Sequence, residues 1–86
     1  MSPEQIVEYA RRERYHVVVT EGMVTDALTC VLLPFTCRDV VEAIPRDDRG
    51  CTVSEYLVAL WIEDLLGRGR IRWTGARRPR TYEIRP

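Results

Sequence analysis

The chain has 86 residues, of which 45% are hydrophobic and 30% are charged, with thirteen arginines, thirteen acidic residues and no lysine. This length and composition predict one folded domain and exclude an intrinsically disordered chain. No apolar run reaches the ~20 residues that cross a bilayer, and the first residues lack the pattern of a secretion signal, so we expect a cytoplasmic protein with no membrane contact.

The N-terminal segment carries the signals of a capped helix. Ser2 stands at an N-cap position, Pro3 at the first helical position and Gln5 three residues after the cap, which is the pattern of a capping box. We therefore predict a helix from Pro3 to Arg14. The β-branched run at residues 16–20 favours a short strand, with the last turns of the same helix as the alternative.

Two helices are predicted in the middle of the chain. Apolar residues recur at helical spacing over residues 23–32, and Pro34 ends this helix because proline cannot continue it. Thr36 and Asp39 have the spacing of a capping box, so a second helix begins there. It runs to Ile44, since the proline that follows disfavours helical backbone.

A long helix and a hairpin are predicted in the last third of the chain. Thr52 and Glu55 form a second capping-box pattern, which opens a helix that ends near Gly67. Residues 70–74 and 81–85 then alternate between apolar and polar around a turn-rich segment, which predicts a β-hairpin. The residues predicted to face the core are Ile71, Trp73, Tyr82 and Ile84.

The charges are segregated along the chain although their sum is zero. Residues 1–67 carry six arginines and twelve acidic residues, whereas residues 68–86 carry seven arginines and one glutamate. A basic end of this kind indicates binding to a polyanion or to an acidic partner. The alternative is a solvated hairpin whose arginine stems cover apolar surface.

The order of helix, short helix, turn, long helix and arginine-tipped hairpin resembles the winged helix-turn-helix superfamily. The spacing that carries the resemblance is found at Val58, Ile62, Leu65, Gly69 and Ile71, followed by a basic wing at residues 74–82. The resemblance implies an α+β winged-helix fold, with a three-helix helix-turn-helix core, an added N-terminal helix and a C-terminal β-hairpin wing. Residues 1–86 are then a single domain with an N-terminal extension (1–20), a helical core (21–67) and a wing (68–86).

The same resemblance implies a homodimeric transcription regulator that binds double-stranded DNA, with the long helix in the major groove and the wing on the backbone or minor groove. Arginines beside a turn reach phosphates readily. The residues predicted to contact DNA are Arg77, Arg78, Arg80, Arg72 and Arg70 of the wing, together with Ser54, Tyr56, Arg46 and Arg49 near the start of the long helix.

The long helix departs from helices that read DNA, because its outer face is apolar and acidic instead of basic. A second apolar stripe, opposite the one that faces the core, consists of Val53, Leu57, Leu60 and Trp61. The N-terminal helix, a second copy of the chain, or a different protein could cover this stripe. The alternative function is therefore a protein-binding adaptor or inhibitor, with Leu57, Leu60, Trp61 and Tyr9 as its interface residues.

Neither a catalytic site nor a metal site is predicted. The three cysteines (Cys30, Cys37 and Cys51) and the single histidine, His16, lack zinc-ligand spacing. No glycine-rich phosphate loop or convergent catalytic set is present, so we expect no enzyme activity, no metal and no cofactor. Cys37 falls at a predicted helix start, where the helix dipole lowers thiol pKa values, although a small core residue is the competing interpretation.

Overall fold

The computed structural model describes residues 1–85, which form four α-helices followed by a two-stranded antiparallel hairpin. The elements are α1 (Pro3–Arg12), α2 (Glu21–Leu28), α3 (Cys37–Ala43), α4 (Glu55–Gly67), β1 (Ile71–Arg77) and β2 (Arg80–Ile84). The α+β class predicted from the sequence is therefore confirmed. None of the helices in this part of the chain is long and apolar enough to cross a membrane.

The capping box predicted for α1 is present. The Ser2 hydroxyl accepts a hydrogen bond from the Gln5 amide at 3.3 Å, and the Gln5 side chain accepts one from the Ser2 amide at 2.8 Å. The helix ends at Arg12, earlier than predicted. Arg14 has a φ of 57°, in the left-handed region, and such backbone cannot continue a right-handed helix.

The strand predicted at residues 16–20 is wrong, and so is the helical alternative, because this segment is an irregular connection to α2. β-branched side chains favour a strand where neighbouring strands pack beside them. Among the described residues the sheet consists of β1 and β2, so residues 16–20 have no strand partner there. The Val19 side chain is fully buried instead, and its carbonyl oxygen accepts a hydrogen bond from Trp61 Nε1. The apolar character of the segment therefore serves core packing.

α2 ends at Leu28, well before the predicted end of its apolar pattern. The Thr29 hydroxyl donates to the Asp26 carbonyl at 2.6 Å, and local side-chain bonds of this kind compete with continuation of a helix. Leu32 consequently lies outside the helix, with 88% of its surface exposed.

α3 has its predicted capping box, whereas α4 begins later than predicted. The Thr36 amide donates to the Asp39 carboxylate at 2.9 Å, and the Thr36 hydroxyl accepts from the Asp39 amide at 3.1 Å. The N-cap of α4 is Ser54, whose hydroxyl accepts from the Leu57 amide at 3.4 Å. The capping box predicted at Thr52 is therefore wrong, and a leucine at the third helical position offers no side-chain acceptor to return the bond.

α4 is buried on both of its apolar sides. Val58, Ile62 and Leu65 lie in the core as predicted, and Leu57 and Trp61 on the opposite stripe are also buried. α1 packs against α4, which is the first of the three interpretations of this stripe. The helix is therefore central to the domain.

This burial corrects the interface residues predicted from the sequence. Leu57 and Trp61 have 0% and 1% of their surface exposed, so they are core residues of this chain and offer no surface to a partner. Leu60 and Tyr9 are half-buried and pack against the same core.

β1 and β2 extend further toward the turn than predicted, so the predicted loop shrinks to Arg78 and Pro79. Phe35 pairs with Tyr82 through two backbone hydrogen bonds of 2.9 and 2.8 Å. The connection between α2 and α3 is thereby joined to the edge of β2.

Two of the four hairpin residues predicted to face the core are buried. Ile71 and Tyr82 are 2% and 5% exposed, whereas Trp73 and Ile84 are 36% and 41% exposed. A domain of this size has too little apolar surface to cover a hairpin along its whole length. The outer part of the predicted core face is therefore open to solvent.

Candidate functional site

One face of the hairpin carries three cross-strand pairs, in order from the helices to the turn. Ile71 opposes Ile84, Trp73 opposes Tyr82, and Arg77 opposes Arg80. Residues that are partners in register lie on the same face, because side chains alternate between the faces of a strand. This face therefore changes from apolar through aromatic to cationic as the hairpin leaves the domain.

A bulge in β1 sets the aromatic and cationic pairs close together. The four steps from Trp73 to Arg77 oppose only two steps on β2, and Gly75 within the bulge has a φ of 101°, which side chains other than glycine rarely adopt. Trp73 Nε1 donates to the Ala76 carbonyl at 2.7 Å. The bulge and this hydrogen bond fix the position of the indole.

Both arginines of the outermost pair lie over aromatic rings. The guanidinium carbons of Arg77 and Arg80 are 5.4 and 5.0 Å from the centroid of the Trp73 ring. The Arg80 carbon is also 5.8 Å from the centroid of Tyr82. Separations below about 6 Å give a favourable cation–π attraction, so the rings gather the two charges at one place.

Acidic side chains hardly neutralise this pair. Within residues 1–85, the one ion pair that either arginine makes joins Arg80 Nη1 to Glu63 Oε1 at 3.9 Å. On the opposite face of the hairpin, Arg72 pairs with Glu83 at 2.7 Å. Like charges that oppose each other across two strands repel, so Arg77 and Arg80 together favour a bound anion.

Within residues 1–85, the other arginines of the basic end differ in whether they form ion pairs. Arg70 and Arg78, both predicted DNA contacts, are exposed. Arg68, which was not a predicted contact, donates to Glu21 and to Asp64 and so joins the end of α4 to α2. Positive charge is therefore reduced beside the helices and persists at the turn.

Two of the four contacts predicted near the start of α4 are engaged in local structure. The Ser54 hydroxyl caps the helix, and Arg46 pairs with Glu42 at 3.7 Å. Tyr56 is 55% exposed, and Arg49 is also exposed. Within residues 1–85, no hydrogen bond or ion pair joins this group to the hairpin arginines.

The outward side of α4 is acidic. Glu55 and Glu63 are exposed, and Glu55 pairs with Arg38 of α3 at 3.5 Å. Carboxylates on this side repel phosphate groups, whereas helices that read base edges present basic or amide side chains. The chemistry for binding an anion is therefore found on the hairpin and not on α4.

Three tyrosines gather where α1 meets α4. The ring centroid of Tyr9 lies 6.1 Å from that of Tyr15 and 5.9 Å from that of Tyr56. The side chain of Tyr15, followed by desolvation, raises the pKa of Tyr9 to about 12. Tyr9 therefore stays protonated at neutral pH, which is unsuited to a general base.

A second cluster brings together residues that are distant in sequence. His16 Nε2 lies 3.6 Å from Asp47 Oδ2 and 3.7 Å from Asp48 Oδ1, and these three atoms lie within 4.8 Å of one another. Zinc-ligand spacing did not predict this group, because its members meet only in the tertiary structure. Since His16 and Asp48 are exposed, we interpret it as a surface electrostatic contact.

No protein-family model matches the chain, and neither a curated protein nor a solved structure matches it. The site therefore has to be interpreted from its own chemistry. Its unexpected member is Trp73, which the alternating pattern placed in the core. The two-residue spacing of Arg80 and Tyr82 on β2 was the signal that could have placed an arginine on the same face as the aromatic pair.

Proposed function

We propose that this chain is a winged helix-turn-helix domain that binds double-stranded DNA through the arginines of its hairpin. The order of α2, α3, α4 and the hairpin is compatible with that fold, and α1 is the added N-terminal helix. The Phe35–Tyr82 pairing supports the same arrangement, because it places a third chain segment beside the hairpin.

The observation that carries the proposal is the Arg77–Arg80 pair, with Arg78 at the turn between its members. Guanidinium groups donate two parallel hydrogen bonds to phosphate oxygens. Because acidic side chains barely neutralise this exposed pair, a bound phosphate stabilises it more than it would stabilise arginines that already have acidic partners. We assign DNA as the polyanion that these arginines bind, through its phosphate backbone or in its narrow minor groove.

The proposed contact is with the backbone and is independent of base sequence. The exposed carboxylates of α4, Glu55 and Glu63, oppose deep entry of that helix into the major groove. Binding through about three to five phosphates gives a slope of log affinity against log salt of roughly −3 to −4.5. The affinity should therefore be modest, and its dependence on salt should be shallow compared with that of a protein that contacts six or more phosphates.

Fluorescence anisotropy with a labelled random-sequence duplex tests this function. The Arg77→Gln, Arg80→Gln double variant should bind more weakly and with a shallower salt slope. Arg11→Gln, Arg14→Gln is the matched control, because it removes the same charge from exposed arginines outside the hairpin. The proposal fails if the wild type shows no binding up to about 100 μM at low salt, or if both double variants lose affinity equally.

A second candidate function is contact with another protein, and a second copy of the chain is the partner that we assign. Leu32 and Leu33 in the α2–α3 connection are 88% and 55% exposed, and adjacent exposed leucines favour an interface. Light scattering tests this: a dimer that Leu32→Ser, Leu33→Ser dissociates supports the interface, whereas a monomeric wild type excludes it.

A further inference from the structure

Arg77 and Arg80 oppose each other at the end of the hairpin, where their charges repel. Arginine side chains have considerable rotamer freedom and lose it when they are held in one place. Both nevertheless converge on the Trp73 ring, at 5.4 and 5.0 Å. Tyr82 and Glu63 contact Arg80 as well, but among residues 1–85 Trp73 is the ring that lies under both arginines, so the indole opposes the repulsion between them.

Trp73 is itself held firmly enough to serve this purpose. Its Nε1 donates to the Ala76 carbonyl, and its strand partner Tyr82 is buried. The indole therefore has a fixed position between the core and the turn. A space of about 420 Å³ is lined by Trp73, Arg77 and Arg80 alone.

Stacking on an aromatic ring leaves the hydrogen-bonding edge of a guanidinium group free. The five N–H donors of arginine lie in the plane of the group, whereas the cation–π attraction acts through the face of the ring. An arginine held by Trp73 can therefore still donate two hydrogen bonds. Arg77 and Arg80 both line the space beside Trp73, so a phosphate group in that space can accept hydrogen bonds from both.

We propose that Trp73 is a positioning residue that holds Arg77 and Arg80 as a clamp for a single phosphate group. The clamp rests on the proposed function in one respect only. That function identifies the DNA backbone as the source of the phosphate group. Trp73 does not contact the ligand in this arrangement. Its contribution is to order the two guanidinium groups before binding, which lowers the entropy lost when the ligand arrives.

Charge-conserving and ring-conserving substitutions test the clamp in the full chain. Trp73→Leu removes the aromatic face, Trp73→Phe keeps one, and Arg77→Lys, Arg80→Lys keeps both charges but removes the planar donors. Arg11→Lys, Arg14→Lys is the matched control, since both arginines are exposed and lie outside the hairpin. Each variant is titrated with a labelled random-sequence duplex and, separately, with inorganic tripolyphosphate, and its fold is checked by thermal melting.

We expect Trp73→Leu to weaken binding about five- to thirtyfold, from two exposed cation–π contacts. Trp73→Phe should stay within about threefold of the wild type. The Arg77→Lys, Arg80→Lys variant should weaken binding about tenfold although its net charge is unchanged, whereas Arg11→Lys, Arg14→Lys should bind like the wild type. If Trp73→Leu does not fold, the Arg77→Lys, Arg80→Lys variant decides, because both of its positions are exposed.

The two ligands separate failure of the clamp from failure of the proposed function. If the wild type binds tripolyphosphate but not the duplex, the clamp stands and the proposal of DNA binding is refuted. If Trp73→Leu and Arg77→Lys, Arg80→Lys bind the duplex as tightly as the wild type does, the proposal of DNA binding stands and the clamp is overturned. A wild type that binds neither ligand overturns both.

Discussion

Trp61 Nε1 donates a buried 2.8 Å hydrogen bond to the carbonyl oxygen of Val19, which lies 42 positions earlier in the chain. This bond joins the irregular segment after α1 to the centre of α4. It satisfies the indole N–H of Trp61 and the carbonyl of Val19, which are both buried. The N-terminal segment is thereby an integral part of the core.

Removing the donor of this bond should destabilise the domain. Trp61→Phe leaves the Val19 carbonyl without its partner in the core, so we expect the free energy of unfolding to fall by about 1–3 kcal/mol. Trp61→Arg should abolish folding, because it buries an unpaired charge. Urea unfolding followed by circular dichroism measures both effects.

Trp73→Phe is the control for this substitution, since Trp73 is 36% exposed and lies outside the core. It should shift the unfolding midpoint less than Trp61→Phe does. Equal midpoints for Trp61→Phe and the wild type would contradict a structural role for the Trp61–Val19 bond.

The cap of α4 can be tested with two neighbouring hydroxyl residues. Ser54 caps the helix in the structure, whereas the sequence pattern pointed to Thr52. We therefore expect Ser54→Ala to cost about 1 kcal/mol of unfolding free energy, and Thr52→Ala to cost less than half of that. A larger loss of unfolding free energy for Thr52→Ala than for Ser54→Ala would contradict the Ser54 cap and favour the cap predicted at Thr52.

Asp47 should make the domain less stable in acid. Its Oδ1 accepts hydrogen bonds from the amides of Cys51 and Arg49 at 2.8 and 2.9 Å. Chiefly because of the bond from Cys51, the pKa of Asp47 lies below its usual value of 3.8. The folded state therefore favours the carboxylate, and this stabilisation is present above pH 3.8 and is lost as the pH falls through the lowered pKa.

Thermal melting as a function of pH measures this effect. Asp47→Asn should reduce the loss of stability below pH 4 compared with the wild type. Asp26→Asn is the control, because the Asp26 carboxylate makes no hydrogen bond or ion pair within residues 1–85. An identical acid profile for Asp47→Asn and the wild type would argue against the contribution of Asp47.

The cysteines should differ in reactivity. Burial, followed by the charge of Glu55, raises the pKa of Cys37 to about 11, which reverses the lowering expected from the helix dipole. Cys30 and Cys51 are exposed. At pH 8 a thiol-specific reagent should therefore modify two cysteines quickly and one slowly, since the thiolate is the reactive form.

Cys37→Ser provides the control for this assignment. The variant should keep both fast reactions and lose the slow one, and unfolding in denaturant should make all three wild-type thiols react alike. Three equal rates in the folded wild type would show that Cys37 is accessible.

Short-range signals in the sequence predicted the helix starts that depend on neighbouring residues. The capping boxes at Ser2 and Thr36 involve residues only three positions apart, so local chemistry was enough to find them. The end of α3 followed in the same way from Pro45, because proline restricts the residue before it. The period-two alternation of the hairpin likewise needs no distant partner.

The site was predicted in part for the same reason. Segregation of charge placed the basic end on the hairpin, and Arg77 and Arg80 were among the predicted contacts. Their convergence on Trp73 was not predicted, because it depends on a bulge that displaces the strand register. The contacts of Trp73 with Arg77 and Arg80 therefore became visible only when the cross-strand partners were known.

What the sequence alone determined about this protein is its α+β class, the caps of α1 and α3 and the basic charge of its C-terminal hairpin, since each depends on residues close together in the chain. Tertiary structure decided that residues 16–20 form no strand and that both stripes of α4 are buried. These outcomes depend on which surfaces meet, and apolar residues carry no information about the partner that removes them from water.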